Sequence, residues 1–283
     1  MHGHRVVIDG GHELHAEELA RGTAPAIVLL HGFGASSATW TPLVPALAAT
    51  GRRVITFDRL GFGRSERPRR PPSGWGAAGS PYRPSTAGAQ TLAVLDAMDV
   101  AEAVLVGHSA GAVAAVLAAL EAPDRVAGLG LVAPALLNDG PPAFVAAAFG
   151  LPGATRVAPW VLRRSVAVLP RTLRRAWHDP ARVDAATVER YVEPFRSPGW
   201  EHALVEMTRA VEPLRLADRL AGIDAPAVVV TGAADRIVTP RDGVRIRELL
   251  GATATAVEVP AAGHLVHEEQ PAAVLEALAP LWR

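Results

Sequence analysis

Compact apolar runs alternate with helical segments along the chain, and this alternation restricts the fold more than any other feature. The apolar runs occupy residues 26–30, 54–57, 103–106, 129–132, 227–230 and 255–259. Segments of helical character follow them at residues 42–49, 85–98, 110–122, 241–250 and 271–281. Short continuous apolar runs are typical of strands covered on both faces. Strands that alternate with helices need crossover connections, which predicts a doubly wound α/β fold with a mostly parallel sheet and helices on both faces.

Two further strands open the chain. Residues 5–8 and 12–19 show apolar alternation on either side of Asp9-Gly10-Gly11, a pattern that predicts a β-hairpin. With this hairpin the predicted sheet has eight strands. A length of 283 residues suits one such domain carrying an insertion.

The insertion is predicted at residues 136–215, where strand patterns stop and helical stretches are interrupted by prolines. The core domain then consists of residues 1–135 and 216–283. Large aromatic side chains are concentrated in the insertion: Phe144, Phe149, Trp160, Trp177, Tyr191, Phe195 and Trp200. We expect most of them to pack the insertion onto the core and a few to line a pocket.

A second irregular stretch, residues 68–84, is rich in proline and glycine and is predicted to be a loop. Long loops in compact domains are often functional. Trp75 and Tyr82 either border a substrate entrance or lie on the surface, and the sequence leaves both readings open.

The composition excludes several classes of partner and chemistry. Basic and acidic side chains number 28 each, so the basic surface that binds nucleic acid or anionic membranes is not expected. Cysteine is absent, which excludes disulfides, thiolate metal sites and a cysteine nucleophile. The first residues show no apolar signal-peptide core, and no uncharged apolar run reaches bilayer length, so a cytoplasmic protein is predicted.

The residues that carry chemistry begin with G-H-S-A-G at residues 107–111, placed between a predicted strand and a predicted helix. A sharp strand-to-helix turn of this kind exposes its central serine and is called a nucleophile elbow. Ser109 is therefore the predicted nucleophile. Gly107 and Gly111 are explained by the lack of space beside such a turn.

A serine hydroxyl needs a base to accept its proton and an acid to orient that base. Asp235 follows the strand at 227–230 and His264 follows the strand at 255–259, so both are predicted at the carboxyl edge of the sheet. Two competitors are weaker candidates. Asp242 is expected in the first turn of a helix, and His267 is expected on the surface or beside the site.

Several motifs together resemble the α/β-hydrolase family, in its serine-nucleophile branch with a helical cap, over nearly the whole chain. They are H-G-F-G at residues 31–34 with Trp40, D-R-L-G-F-G-R-S at residues 58–65, the G-x-S-x-G elbow, and Gly263-His264 with Glu268 and Pro271. The order Ser109, Asp235, His264 is also the family's order. The resemblance implies that the insertion is a cap over the active site.

The resemblance further implies the roles of the residues. Ser109 attacks an acyl carbonyl, His264 moves the proton and Asp235 holds the imidazole tautomer. The backbone N–H groups of Phe33 and Ala110 are the implied oxyanion hole. Candidate pocket residues are His31, Gly32, His108, Phe144, Trp160 and Trp177. Asp58 is expected to brace the turn that carries Gly61 and Gly63.

Hydrolysis of a small carboxylic ester or lactone is the primary functional prediction. Epoxide hydrolases and haloalkane dehalogenases of the family attack with a carboxylate, so a serine at the elbow disfavours those reactions. Carbon–carbon hydrolysis of a dione, with Arg174, Arg175 and Trp177 as polar contacts, is one alternative. Acyl transfer, perhydrolysis and a ligand-binding receptor are others.

The predicted partner is a small ester or acyl compound. No cofactor and no metal are predicted, because the triad chemistry requires neither. The histidines at residues 2, 4, 12 and 15 are not expected to bind a metal, since they lack accompanying carboxylate geometry. The oligomeric state is left open.

Overall fold

The fold is an eight-stranded, mostly parallel sheet with helices on both faces, as predicted. The computed structural model describes residues 2–71, 73–75, 79–137 and 154–283. Its strands are β1 His2–Val7, β2 Glu13–Ala20, β3 Thr23–Leu30, β4 Arg52–Asp58, β5 Ala103–His108, β6 Val126–Val132, β7 Ala227–Gly232 and β8 Ala254–Val259. Their spatial order is β1-β2-β4-β3-β5-β6-β7-β8, and only the pairings of β2 with β1 and β4 are antiparallel within this part of the chain.

The helices cover the sheet from two sides because side chains alternate between its faces. They are α1 Val44–Ala48, α2 Ala87–Ala97, α3 Ala110–Glu121, α4 Ala154–Ser165, α5 Leu169–Ala176, α6 Ala185–Val192, α7 Trp200–Arg209, α8 Pro240–Leu250, α9 Val266–Glu269 and α10 Pro271–Leu278. Val28 and Leu30 of β3 pack with α2, α3 and α8, whereas Ile27 and Leu29 pack with α1, α9 and α10. Two apolar cores therefore lie on opposite faces of the sheet.

The described part of the insertion is helical. Between β6 and β7, residues 154–222 form α4 to α7 and short 3-10 helices, with no strand among the described residues. A small apolar cluster joins this region to the core domain; its buried members are Ala35, Leu173, Trp177, Val183, Tyr191 and Leu265. The insertion therefore packs against the carboxyl edge of the sheet, where Ala35 and Leu265 lie.

The predicted loop at residues 68–84 has no helix or strand in its described part before the 3-10 turn Pro84–Thr86. Tyr82 is buried, and its hydroxyl donates to the carbonyl of Pro68 at 2.9 Å, which closes the loop on itself. Trp75 lies edge-on to Tyr82 and donates to Glu206 of α7 at 3.2 Å. The loop is thus attached to the inserted helices.

No helix among the described residues is long and apolar enough to cross a bilayer.

Candidate active site

Ser109 lies in a strained turn between β5 and α3. Its backbone has φ 51° and ψ −115°, a conformation that is unfavourable for a residue with a side chain and typical of functional sites. The N–H of Ser109 donates to the carbonyl of Val132 at 2.9 Å, which anchors the turn to the neighbouring strand β6. The serine lines a cavity above this edge of the sheet.

Asp235 and His264 form a buried hydrogen-bonded pair. Nδ1 of His264 lies 2.8 Å from Oδ2 of Asp235, and the other carboxylate oxygen accepts from the N–H groups of Ile237 and Val238 at 2.7 and 3.0 Å. Because a carboxylate only accepts, Nδ1 carries the proton and Nε2 keeps a free lone pair. The pair therefore presents a base in the tautomer that deprotonating a hydroxyl requires.

The loop that carries His264 is held against the residue preceding Ser109. Nε2 of His108 donates to the His264 carbonyl at 3.0 Å, and the two imidazole rings lie 4.9 Å apart. The structure thereby brings together the ends of β5, β7 and β8, the three strands that carry the predicted triad.

Contacts from the insertion also hold the loop that carries His264, and no sequence pattern predicts them. The N–H of His264 donates to the carbonyl of Ala176 at 2.8 Å. The buried carboxylate of Glu269 accepts from the N–H groups of Gly263 and His178, both at 2.7 Å. One carboxylate therefore connects the loop that carries His264 to the segment after α5.

The predicted oxyanion donors lie on the same cavity as the serine. Phe33 and Ala110 both line it, and Ala110 is the first residue of α3. An N–H in the first turn of a helix has no acceptor within the helix, so it is free for a developing negative charge.

Three of the predicted pocket residues lie behind the cavity wall instead of lining it. His31 is fully buried; its Nδ1 donates to the Gly32 carbonyl at 2.7 Å and its Nε2 accepts from the Arg59 N–H at 3.0 Å. Burial is the main reason that the pKa of His31 is lowered to about 4. A Cβ on Gly32 would lie 2.8 Å from His108, so glycine is needed for close packing there. His31 and His108 therefore support the wall through buried hydrogen bonds, and Gly32 lies beside Ser109, whose Cβ would be 3.3 Å from the added Cβ.

The predicted pocket residues of the insertion also lie elsewhere. Trp160 is 57% exposed, and the guanidinium carbon of Arg164 lies 3.6 Å from the centroid of the Trp160 ring. Trp177 is buried between the insertion and the core, because it follows the end of α5 in extended conformation and packs on Leu173. Neither lines the cavity in the described part of the chain, and Phe144 lies outside the described residues.

Arg174 and Arg175, the candidate polar contacts for a dione, are exposed on α5 and do not reach the cavity either. Their solvated position agrees with the ordinary behaviour of arginine at the end of a helix. The polar contacts that this alternative requires are therefore not supplied by these two side chains.

Of the two places expected for His267, on the surface or beside the site, the structure shows the second, with its ring 4.4 Å from that of His108. His267 is fully buried because the short helix α9 turns inward against Trp40, and its Nε2 lies 2.8 Å from the Thr39 hydroxyl. Burial is the main cause that lowers its pKa to about 3, so the ring is neutral. Asp242 caps α8 together with Thr239, which agrees with its predicted place in the first helical turn.

Asp58 braces the turn after β4, as predicted. Its carboxylate accepts from the N–H groups of Ser37 and Arg64 at 2.7 and 2.8 Å. Gly63 has a positive φ of 49°, and a Cβ there would lie 2.1 Å from the Asp58 carboxyl carbon. This contact explains why the turn requires glycine.

The cavity beside Ser109 has a volume of about 410 Å³, which is within the range of small-molecule sites. Its wall is mostly apolar and combines α2, α3, the loop before α2 and the end of α7. Residues that line it and that the sequence did not single out include Arg59, Phe62, Gln90, Val113, Met207 and Val211. For one of them a sequence signal existed that was not used, because Val113 lies one helical turn beyond Ser109. A smaller cavity of about 50 Å³ shares Phe33, Phe62 and Met207 with it.

The chain matches the family model described as "alpha/beta hydrolase fold" over residues 25–271. It therefore belongs to the α/β-hydrolase fold family, and it is a hydrolase by that membership.

Relatives and solved structures agree with this assignment. An "Epoxide hydrolase A" of Mycobacterium tuberculosis is 29% identical over 97% of this chain and 95% of its own length. An "Epoxide hydrolase" of Caballeronia sordidicola is 39% identical, but the match spans only 42% of this chain and 33% of that protein. The crystal structure of Cfl2 from Burkholderia cenocepacia superposes with a TM-score of 0.80, 25% identity and coverage of 99% and 95% of the two chains.

Proposed function

We propose that the protein is a serine hydrolase that cleaves a small carboxylic ester or lactone through an acyl-enzyme on Ser109. The observation that carries the proposal is a serine in a strained elbow on a cavity wall, with a buried Asp235–His264 pair on the neighbouring loops. A cavity of about 410 Å³ fits a small acyl compound.

The reaction proceeds in two halves. Ser109 Oγ attacks the carbonyl carbon while His264 Nε2 accepts the hydroxyl proton, and the N–H groups of Phe33 and Ala110 stabilise the oxyanion. The carbon–oxygen bond then breaks, and His264 returns the proton to the leaving alkoxide. Water repeats the attack on the acyl-enzyme, releases the carboxylic acid and restores Ser109. Asp235 stays ionised and holds the imidazole throughout.

The nucleophile argues for acyl chemistry even though relatives are named epoxide hydrolases. Attack of a serine on an epoxide carbon would form an ether. An ether has no carbonyl carbon that water could attack to release the product from the enzyme. A carboxylate nucleophile forms an ester, which water can cleave. Ser109 therefore suits a substrate that already contains the carbonyl group.

Hydrolysis of a 4-nitrophenyl ester series, from acetate to decanoate, tests the proposal. We expect wild-type turnover and a loss of about 10³- to 10⁶-fold for Ser109→Ala, since removal of a triad nucleophile has effects of this size. Ser165→Ala, on the exposed end of α4, is the matched control and is expected to keep wild-type rates.

Thermal unfolding of each variant shows whether the fold is retained. Undiminished turnover by folded Ser109→Ala would contradict the proposal. If the wild type cleaves none of the esters but cleaves a dione, the chemistry is carbon–carbon hydrolysis instead. Tight retention of a ligand without turnover would indicate a receptor.

A further inference from the structure

Arg59 is a cationic side chain in the otherwise largely apolar wall beside the nucleophile. It follows β4 directly, and it lines the same cavity as Ser109. Its N–H donates to Nε2 of His31 at 3.0 Å, which fixes its backbone at the carboxyl edge of the sheet. Its guanidinium lies 6.0 Å from the ring centroid of Phe62, another wall residue.

No carboxylate of the described residues pairs with this guanidinium. Asp58, next to it in the chain, directs both carboxylate oxygens to backbone N–H groups at 2.7 and 2.8 Å. Glu212 is the only carboxylate among the described lining residues, and it accepts from the N–H of Ser85 at 3.0 Å. Nη1 of Arg59 is buried and has no hydrogen-bond acceptor in the described part of the chain.

Withdrawing a charged group from water without a partner is unfavourable, so the buried, unpaired Nη1 of this half-buried side chain needs an explanation. Burial lowers the pKa of the Arg59 guanidinium to about 10, so the side chain is still positively charged at neutral pH. Exposed Arg83 at the rim is the other cation on the described wall, whereas Arg59 is half-buried. A planar guanidinium that lacks a partner is suited to bind a carboxylate through charge-assisted hydrogen bonds.

We infer that the substrate carries a free carboxylate in addition to its scissile ester or lactone group, and that Arg59 binds this carboxylate. The inference rests on the proposed ester hydrolysis and narrows its substrate class. Half-esters of short dicarboxylic acids and carboxylate-bearing lactones fit the description.

The strand register places the two groups at one level of the sheet. Phe57 of β4 and Gly107 of β5 both pair with Leu30 of β3, and Arg59 and Ser109 each lie two residues further on. Two strand spacings separate their backbones by roughly 10 Å. A carbonyl at Ser109 and a carboxylate at Arg59 are thus within the span of one short acyl chain.

A matched pair of esters tests the inference in kinetic terms. The anionic substrate is the mono-4-nitrophenyl ester of glutaric acid, and the neutral one is 4-nitrophenyl 5-methylhexanoate, in which an isopropyl group replaces the carboxylate. The measured quantity is the ratio of their kcat/KM values. We expect Arg59→Met to lower this ratio about 10- to 100-fold, as loss of a hydrogen bond to a charged group implies.

Two variants separate charge recognition from a structural effect. Arg59→Lys keeps the charge and is expected to recover part of the ratio. Arg64→Met removes an exposed arginine from the same turn, where it pairs with Glu17, and should keep the wild-type ratio. An unchanged ratio in Arg59→Met would overturn the inference, whether kcat/KM stays at the wild-type value for both esters or falls by the same factor for both.

Binding to the inactive protein distinguishes failure of the inference from failure of the proposed reaction. Monoethyl glutarate is titrated calorimetrically into Ser109→Ala and into Ser109→Ala/Arg59→Met. At least tenfold weaker binding to the double variant supports the carboxylate site even if no ester is turned over. Equal binding to both proteins would overturn the site even if neutral esters are cleaved.

Discussion

The glycines at the nucleophile elbow are required by backbone contacts with two elements. A Cβ on Gly107 would lie 2.5 Å from the backbone of Gly111 and Ala112 in α3. A Cβ on Gly111 would lie 2.1 Å from the carbonyl oxygen of Leu30 in β3. Backbone atoms cannot rotate away as a side chain can. A Cβ at either position would therefore require α3 or β3 itself to shift.

Gly111→Ala is therefore expected to lower the free energy of unfolding by more than about 3 kcal/mol, or to prevent folding, since severe overpacking belongs to the largest mutational effects. Gly222→Ala is the matched control, because the nearest heavy atom to its new Cβ would be a side-chain carbon of Leu120 at 3.9 Å. Urea denaturation compares both with the wild type. Equal stability of the two variants would contradict the argument.

At the scale of residues, positions fixed by local geometry could be predicted and positions fixed by tertiary packing could not. Ser109, Asp235 and His264 follow strands, so their shared edge was evident from the chain. His267 lies three residues after His264, yet its burial depends on Trp40 and Thr39 from another part of the sequence. Arg59 gave no signal for the same reason, since its lack of a partner is visible only in three dimensions.

Helices α6 and α9 join the insertion to the core through one buried carboxylate. Glu268 of α9 accepts from the hydroxyl of Tyr191 at 2.6 Å, from the hydroxyl of Thr39 at 2.7 Å and from Arg190 at 2.7 Å. Burial is the main cause that raises the pKa of the Tyr191 phenol well above its usual value, so the phenol remains a donor at neutral pH.

Glu268→Gln is expected to lower the free energy of unfolding by about 2 to 3 kcal/mol, because hydrogen bonds to a charged group are replaced by weaker ones. Tyr191→Phe removes one donor and should lower it by about 1 kcal/mol. Glu276→Gln, at an exposed position of the next helix α10, is the control and should change little.

Chemical denaturation of these variants and of the double variant Glu268→Gln/Tyr191→Phe gives the coupling between the two side chains. Groups in one hydrogen-bond network couple by about 0.5 to 3 kcal/mol. Strict additivity of the two substitutions would show that they do not act through the contact seen in the structure.

At the scale of elements, apolar runs located the strands β3 to β8, and apolar alternation around a glycine turn located β1 and β2. β4 begins at Arg52, two residues before its predicted start, because pairing with β3 continues past the apolar run. The role of the loop at residues 68–84 could not be predicted. Tyr82 lines the cavity because a hydrogen bond to the Pro68 carbonyl and packing against the core hold its side chain there. Neither contact can be recognised from a sequence pattern.

In the whole molecule, the site lies where the chain reverses its direction across the sheet. From β3 the chain passes to β4 on one side and then to β5 on the other, so the crevice above β3 and β5 is a topological switch point. Phe33 and Ser109 follow these two strands. The alternation of elements predicted that catalytic groups gather at this edge, whereas the strand order and the cavity wall required the folded structure.

Beneath the same edge lie His31, His108 and His267, which are buried and neutral. Burial is the main cause that lowers the pKa of His31 to about 4 and of His267 to about 3, and it lowers that of His108 well below its usual value. In the unfolded chain a histidine has a pKa near 6.5. Below that pH the unfolded state binds protons that the folded state does not, so acid favours unfolding.

The free energy of unfolding should therefore be fully maintained above about pH 6.5 and should fall as the pH is lowered towards 4, by up to about 1.4 kcal/mol per pH unit for each of these histidines. His267→Gln removes one titrating ring, so its stability should depend less steeply on pH in this window, even though it is lower at pH 7.5 through loss of the Thr39 contact. His4→Gln, at an exposed position of β1, should keep the wild-type slope. Urea denaturation at pH 4.5, 5.5, 6.5 and 7.5 measures the slopes, and parallel profiles for wild type and His267→Gln would show that this histidine does not contribute to acid sensitivity.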